Sequence, residues 1–268
     1  MGHIHRRCVG RQFDFHQPNR SSYVIGPVKT AFAFLIGLCA ALPAAAEIEP
    51  IELHHVIDLS AAGEQKLVAL TLDACGGKVD TALLDFLIEK RIPATIFATR
   101  KWLYRNPEAA ARLVEHRDLF EVEDHGAAHV PAVIGVDRRV YGLLGSPDVP
   151  HLRREVVGGA EAIKTVLHQT PSWYRGATGE YDPEAIKVIE LLGYKIAGFS
   201  VNADQGATLS RAAIVKRLDA VKNGDIIIAH INRPASQTAA GLATGLPRLR
   251  ERGFRFVRLD EVQIQPTR

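Results

Sequence analysis

Cysteine is nearly absent from this chain of 268 residues. Two of its three thiols, Cys8 and Cys39, fall within the first 46 positions, which leaves Cys75 alone in the remainder. An intramolecular disulfide in residues 47–268 is therefore excluded. Also lacking is an apolar run long enough to span a membrane: Thr30 to Leu42 covers 13 residues, short of the roughly 20 that a bilayer core requires. Basic charge is lacking too, despite a formal net charge of +3. Residues 1–46 hold Arg6, Arg7, Arg11, Arg20 and Lys29 against Asp14, whereas residues 47–268 carry 28 basic side chains against 29 acidic ones. A body so nearly neutral offers no basic field for nucleic acid. No internal repeat, low-complexity tract or interdomain linker follows residue 47, which predicts one domain.

The first 46 residues read as an address. Lys29 precedes the apolar run and Pro43-Ala44-Ala45-Ala46 follows it, the pattern of a charged segment, a short apolar segment and an Ala-x-Ala cleavage site. We expect a signal peptide over residues 28–46, cut before Glu47, and a periplasmic or secreted body over 47–268. Residues 1–27 form an extension whose length is unusual for such a leader, and Val28 is an alternative start.

From Glu47 onward strand and helix patterns alternate. Leu67 to Leu72 is an apolar run suited to a strand buried on both faces, and it ends on Asp73. Further strands are expected at Ala94–Ala98, Leu119–Glu123, Ser172–Arg175, Lys195–Ser200, Asp225–His230 and Phe254–Leu259. Asp80, Asn106-Pro107 and Asp182-Pro183 mark helix starts by capping and by proline at the first turn. Residues 130–150 read as a long loop over the site, and His151–His168 as a helix weakened at Gly158-Gly159. Seven strands with intervening helices predict an α/β fold, an incomplete or distorted (β/α) barrel of about seven parallel strands.

The polar residues fall in a pattern. Asp73, His125, Arg175, Asp204 and His230 each end a predicted strand or sit just beyond one. In a parallel sheet such residues share the carboxyl rim, where barrels keep their chemistry. His125 and His129 are four apart, which on one helical turn aims both imidazoles at one point, a spacing suited to a zinc-like ion. The zincin pattern fails, because Gly126 stands where that motif places its glutamate base. Asp73 is the candidate base.

Over residues 66–262 the chain resembles the polysaccharide deacetylases of the NodB-homology type, carbohydrate esterase family four. Thr71-Leu72-Asp73-Ala74-Cys75 is similar to the family's Thr-Phe-Asp-Asp-Gly, and His125-Gly126-Ala127-Ala128-His129 to its His-Ser/Thr-x-x-His. Arg175-Gly176-Ala177-Thr178-Gly179 corresponds to the arginine motif, Asn202-Ala203-Asp204-Gln205 to the Asp-x-x-Asp-Trp motif, and Ile228-Ala229-His230 to Leu-x-His. The resemblance implies Asp73 as base, His125 and His129 as metal ligands, Arg175 as the residue orienting the base and His230 as general acid. Asp204 would tune the pair through Arg175 or His230, and the Thr178 N–H would face the oxyanion. Ala74 departs from the pattern, since the family places its third metal ligand there; Asp-Ala-Cys resembles a recurrent variant.

The resemblance thus implies hydrolysis of acetyl groups, N-linked or O-linked, from an amino-sugar polymer such as peptidoglycan, a chitin-type glycan or an exopolysaccharide. The implied cofactor is a divalent metal, zinc by its ligands. Asp73, Cys75, Asp124 or water remains open as third ligand, and water is expected, with weaker binding than in relatives that keep the carboxylate. The rivals are a metal-independent amide hydrolase of the same fold and a non-catalytic glycan-binding protein of the envelope.

Overall fold

The apolar run beginning at Leu67 becomes the longest strand among the described residues, β1 (Lys66–Ala74). In the computed structural model, which describes residues 49–267, its odd and even positions part company. Val68, Leu70, Leu72 and Ala74 join the core beneath the helices, while Leu67 and Ala69 join a second core inside the barrel. Alternation along a strand therefore sends Thr71 and Asp73 inward. The expected signal peptide of residues 28–46 and the extension before it lie outside the described residues.

The strands around β1 are β2 (Ala94–Ala98), β3 (Phe120–Asp124), β4 (Trp173–Tyr174), β5 (Lys195–Ile196), β6 (Val201–Asn202), β7 (Ile226–His230) and β8 (Phe254–Val257). They run in the order β5-β4-β3-β2-β1-β7-β6, every neighbouring pair parallel, and β8 lies below β2 on the same edge of β1. The helices α1 (Thr81–Glu89), α2 (Arg100–Arg105), α3 (Pro107–Glu115), α4 (Val149–Leu167), α5 (Pro183–Leu191), α6 (Arg211–Asp219) and α7 (Thr238–Glu251) connect them. This is the predicted distorted (β/α) barrel.

One predicted strand is split, and the split closes the barrel. Residues 195–200 do not stay beside one neighbour. They leave β4, with the Ala197 N–H on the Tyr174 carbonyl at 3.0 Å, and reach β7, with the Ser200 N–H on the Ile226 carbonyl at 2.9 Å. An upstream segment plugs the crossing: the Gly198 N–H donates to His55 Nδ1 at 2.9 Å. A Cβ on Gly198 would stand 2.1 Å from the Leu53 carbonyl oxygen, so only glycine admits this approach.

Other expectations need correction. Residues 130–150 are partly ordered into Pro131–Ala132, which pairs with Ala177–Tyr181, and a small hairpin of Arg139–Val140 with Leu143–Leu144. The helix expected from His151 starts at Val149 behind an Asp148 cap and runs unbroken through both glycines. Asp80 and Asp182 cap their helices, but the Asn106 side chain does not. It instead accepts the Val79 N–H and donates to the Gly77 carbonyl, fastening the loop after Asp73.

The inward positions of β3 carry two glutamates at the floor of the barrel. Glu121 accepts from the Thr95 hydroxyl at 2.6 Å, and Glu123 from the Ser172 and Trp173 N–H groups at 2.8 and 2.7 Å. Burial, and then the neighbouring Glu121, push the Glu123 carboxyl from 4.5 up to about 9. Folded Glu123 thus keeps a proton that the unfolded chain releases above 4.5. Its contribution to stability is full below that pH and is lost as pH rises toward 9. Glu123→Gln keeps an acceptor for both N–H groups and mimics the protonated acid. We expect it to match the wild type near pH 4 and to exceed it at pH 8 by roughly 1–3 kcal/mol, given sharing with Glu121. Urea denaturation at both pH values checks this; equal differences at both would contradict it.

Candidate active site

The inward columns of the barrel end at its carboxyl rim in polar side chains. Residues 71 and 73 of β1, 121, 123 and 125 along β3, 173 and 175 along β4, and 226, 228 and 230 of β7 follow one alternation. Four of the rim residues expected from the sequence, Asp73, His125, Arg175 and His230, are thereby brought together, and Asp204, just past β6, joins them through His230.

Arg175 is wholly buried, and all three of its side-chain nitrogens donate hydrogen bonds. Nη1 donates to Asp73 Oδ1 at 3.0 Å and to Thr71 Oγ1 at 2.9 Å, Nε to the Ala197 carbonyl at 3.1 Å, and Nη2 to the Gly198 carbonyl at 3.3 Å. Its guanidinium carbon lies 4.1 Å from the centre of the Phe97 ring, a cation–π contact. Burial would raise the Asp73 carboxyl, but the charges of His125, Arg175 and His230 outweigh it and hold the group below 3.8. Asp73 is therefore an aimed carboxylate, with Oδ2 3.7 Å from His125 Nε2.

Strand register places His230 beside Asp73. Asp204, fully buried, accepts from His230 Nδ1, from the His230 N–H and from Thr238 Oγ1, each at 2.9 Å. Burial would depress the His230 imidazole, yet hydrogen bonding to Asp204 and Cys75 and the Asp204 charge raise it well above 6.5. With Nδ1 committed to Asp204, Nε2 is the atom left to deliver a proton. Of the two routes expected for Asp204, contact with His230 is the one the structure contains. Thr238, which the sequence reading missed, completes the set.

His125 and His129 do meet, their ring centres 5.0 Å apart, but not on a helix. Residues 125–130 form a loop, with left-handed backbone at Gly126 (φ +86°) and His129 (φ +67°). Buried Glu155 of α4 holds this loop: its carboxylate accepts the Ala128 and Val130 N–H groups at 2.9–3.0 Å. An acid inside the apolar stripe of Leu152, Val156 and Ala160 was the sequence signal for Glu155, and it went unread. His125 Nδ1 lies 2.6 Å from the Arg175 carbonyl oxygen. A carbonyl only accepts, so Nδ1 carries the proton and Nε2 faces the site. Burial would lower His125, but Asp73 and Cys75 raise it to about 9.

Asp124 is no part of this set. Its Oδ1 accepts the Gly126 N–H at 2.8 Å, its Oδ2 is buried without a partner, and burial holds its carboxyl well above 3.8. Among the described residues, the group able to hold a metal ion is Cys75, His125 and His129, whose ligand atoms lie within 4.8 Å of one another. A sulfur and two imidazole nitrogens suit a borderline ion such as zinc, so the residues present fit a metal. Thr178, on the strand after Arg175, has a left-handed backbone at φ +75° and a buried hydroxyl without a partner.

A parallel barrel whose rim joins an arginine-paired carboxylate to a carboxylate-held imidazole has the architecture of a hydrolase. The polysaccharide deacetylase family model matches residues 60–197, just over half of the chain, and the chain belongs to that family. The match ends before Asp204 and His230, which the geometry adds. The chain is similar to a peptidoglycan-N-acetylglucosamine deacetylase of Bacillus cereus, 25% identical over 203 residues that cover 74% of this chain and 88% of the relative. It is 24% identical over 209 residues to a peptidoglycan-N-acetylglucosamine deacetylase of Listeria monocytogenes, covering 77% of this chain and 41% of that one. A CE4 family pseudoenzyme from Bacillus anthracis shares the fold, with a TM-score of 0.61 at 20% identity over 74% of this chain and 66% of the other.

Proposed function

We propose that this chain is an exported, metal-dependent deacetylase that hydrolyses N-acetyl groups on an amino-sugar polymer of the cell envelope, of which peptidoglycan is the foremost candidate. The observation that carries the reading is the pairing of Asp73, fixed by Arg175, with His230, fixed by Asp204, on adjacent strands. Asp73 takes a proton from the attacking water, and Arg175 keeps the carboxylate ionised and aimed. His230 delivers a proton from Nε2 to the departing amine, while Asp204 sets its tautomer and supports its charge. Arg175 and Asp204 are thus positioning residues. His125 and His129 would hold a divalent ion, which would supply Lewis-acid polarisation of the acetyl carbonyl and of water. By the family pattern, the Thr178 N–H faces the developing oxyanion. Export by residues 28–46 brings the site to the glycans on which the similar proteins are named as acting.

A glycan-binding protein without catalysis is the second reading, favoured by Ala74 and by the pseudoenzyme that shares the fold. It leaves the intact pairing of base and acid without a task. The test is acetate release from N-acetylglucosamine oligomers by protein recovered from the envelope, whose N-terminus is expected at or near Glu47. Release that stops in chelator and returns with zinc is the expected result. Release that persists in chelator makes the enzyme metal-independent, and no release from any acetylated glycan favours the binding protein.

A further inference from the structure

We propose that Cys75 is the third protein ligand of the metal centre, so that the ion is held by one thiolate sulfur and the two imidazoles of His125 and His129. The proposal rests on the metal-dependent reading above and deepens it. Its starting point is strand parity. β1 sends residues 67, 69, 71 and 73 into the barrel and 68, 70, 72 and 74 toward the helices, so the next inward side chain after Asp73 is that of Cys75. Ala74 is wholly buried in the outer core. The ligand position of this chain is displaced by one residue, from 74 to 75.

The distances agree with a shared ion. Tetrahedral zinc with bonds of about 2.3 Å to sulfur and 2.0–2.1 Å to nitrogen sets sulfur and nitrogen about 3.6 Å apart. Cys75 Sγ lies 3.6 Å from His125 Nε2, and the His129 nitrogen completes a group within 4.8 Å. With Nδ1 committed to the Arg175 carbonyl, Nε2 is the nitrogen of His125 that faces this point, and an ion binding there would displace its proton. That carbonyl is the outer partner a ligating histidine requires.

The other candidates stand outside that group. Asp73 Oδ1 is held by Arg175 while its Oδ2 lies 3.7 Å from His125 Nε2, and Asp124 is turned toward Gly126. The Cys75 loop is also fixed in advance. Thr99 Oγ1 donates to the Cys75 carbonyl, and the Asn106 side chain spans Gly77 and Val79. Gly77 packs so closely that a Cβ there would stand 2.2 Å from the Asn232 carbonyl oxygen. Three protein ligands leave one position of a tetrahedral ion for water or substrate, the arrangement of catalytic zinc sites. A thiolate among them favours zinc or cobalt(II) over magnesium or calcium, and Asp73 remains free to act as base.

The test uses the full-length chain, stripped of metal and titrated with cobalt(II) and then zinc. We expect one equivalent of cobalt bound, a thiolate-to-cobalt charge-transfer band in the near ultraviolet, and loss of that band when zinc displaces cobalt. The band should survive replacement of Cys8 and Cys39 by serine. It should vanish in Cys75→Ser, with zinc affinity lowered at least about tenfold, the scale on which even outer partners of a metal site act. Should Cys75→Ser fail to fold, alkylation of the wild type decides, with zinc expected to shield Cys75 from iodoacetamide. Cobalt bound without the band, or Cys75 still alkylated under saturating zinc, overturns the thiolate ligand while leaving the metal reading intact. No uptake of cobalt or zinc overturns both.

Discussion

Asp73→Asn is expected to reduce deacetylation of N-acetylglucosamine oligomers by about 10²–10⁴-fold, the range in which a positioned base acts. The substitution removes the ability to accept a proton and little else. An asparagine Oδ1 still accepts from Arg175 Nη1. The Ala197 and Gly198 carbonyls, the Thr71 hydroxyl and the Phe97 ring continue to surround the guanidinium. Arg175 nevertheless loses its only carboxylate partner among the described residues. Breaking a buried pair outright costs about 3–5 kcal/mol; with four neutral partners retained we expect roughly 1–3 kcal/mol. The variant should therefore remain folded at 25 °C and bind an N-acetylated oligomer with an affinity near that of the wild type. Steady-state kinetics and a urea titration on the same preparation separate the two effects. A folded variant with turnover within about threefold of the wild type would remove Asp73 from the role of base.

The barrel and its rim were legible for one physical reason. In a parallel sheet covered on both faces, each strand is a short apolar run, and a polar residue that ends such a run marks the carboxyl edge. Asp73, His125, Arg175, Asp204 and His230 announced themselves in this way. What escaped the sequence depends on contacts between distant segments. The run at Lys195–Ser200 reads as one strand, and only the approach of Leu53 and His55 to Gly198 splits it between β4 and β7. Asn106 has a capping residue's chemistry and position, yet its amide is drawn 27 and 29 residues away to Val79 and Gly77. The four-residue spacing of His125 and His129 suggested a helical turn, whereas a carboxylate from α4 shapes that loop from outside. The choice between Ala74 and Cys75 turns on whether strand alternation persists one residue past Asp73.

His230→Ala should lower turnover on the amide substrate by a similar factor, about 10²–10⁴-fold, and the pattern across substrates identifies its role. The side chain ends β7, and its loss leaves Asp204 the backbone N–H of residue 230 and the Thr238 hydroxyl as donors. The fold is therefore expected to survive. An amine leaves poorly unless it is protonated, so N-acetylglucosamine oligomers should feel the full loss. An aryl acetate expels a stable phenolate that needs no proton. Its hydrolysis should fall by no more than about tenfold, since Asp73, Arg175, His125 and His129 are unchanged. A merely structural histidine would depress both substrates alike, and that result, or an unchanged rate on the oligomer, would show that the proton reaches the leaving nitrogen by another route.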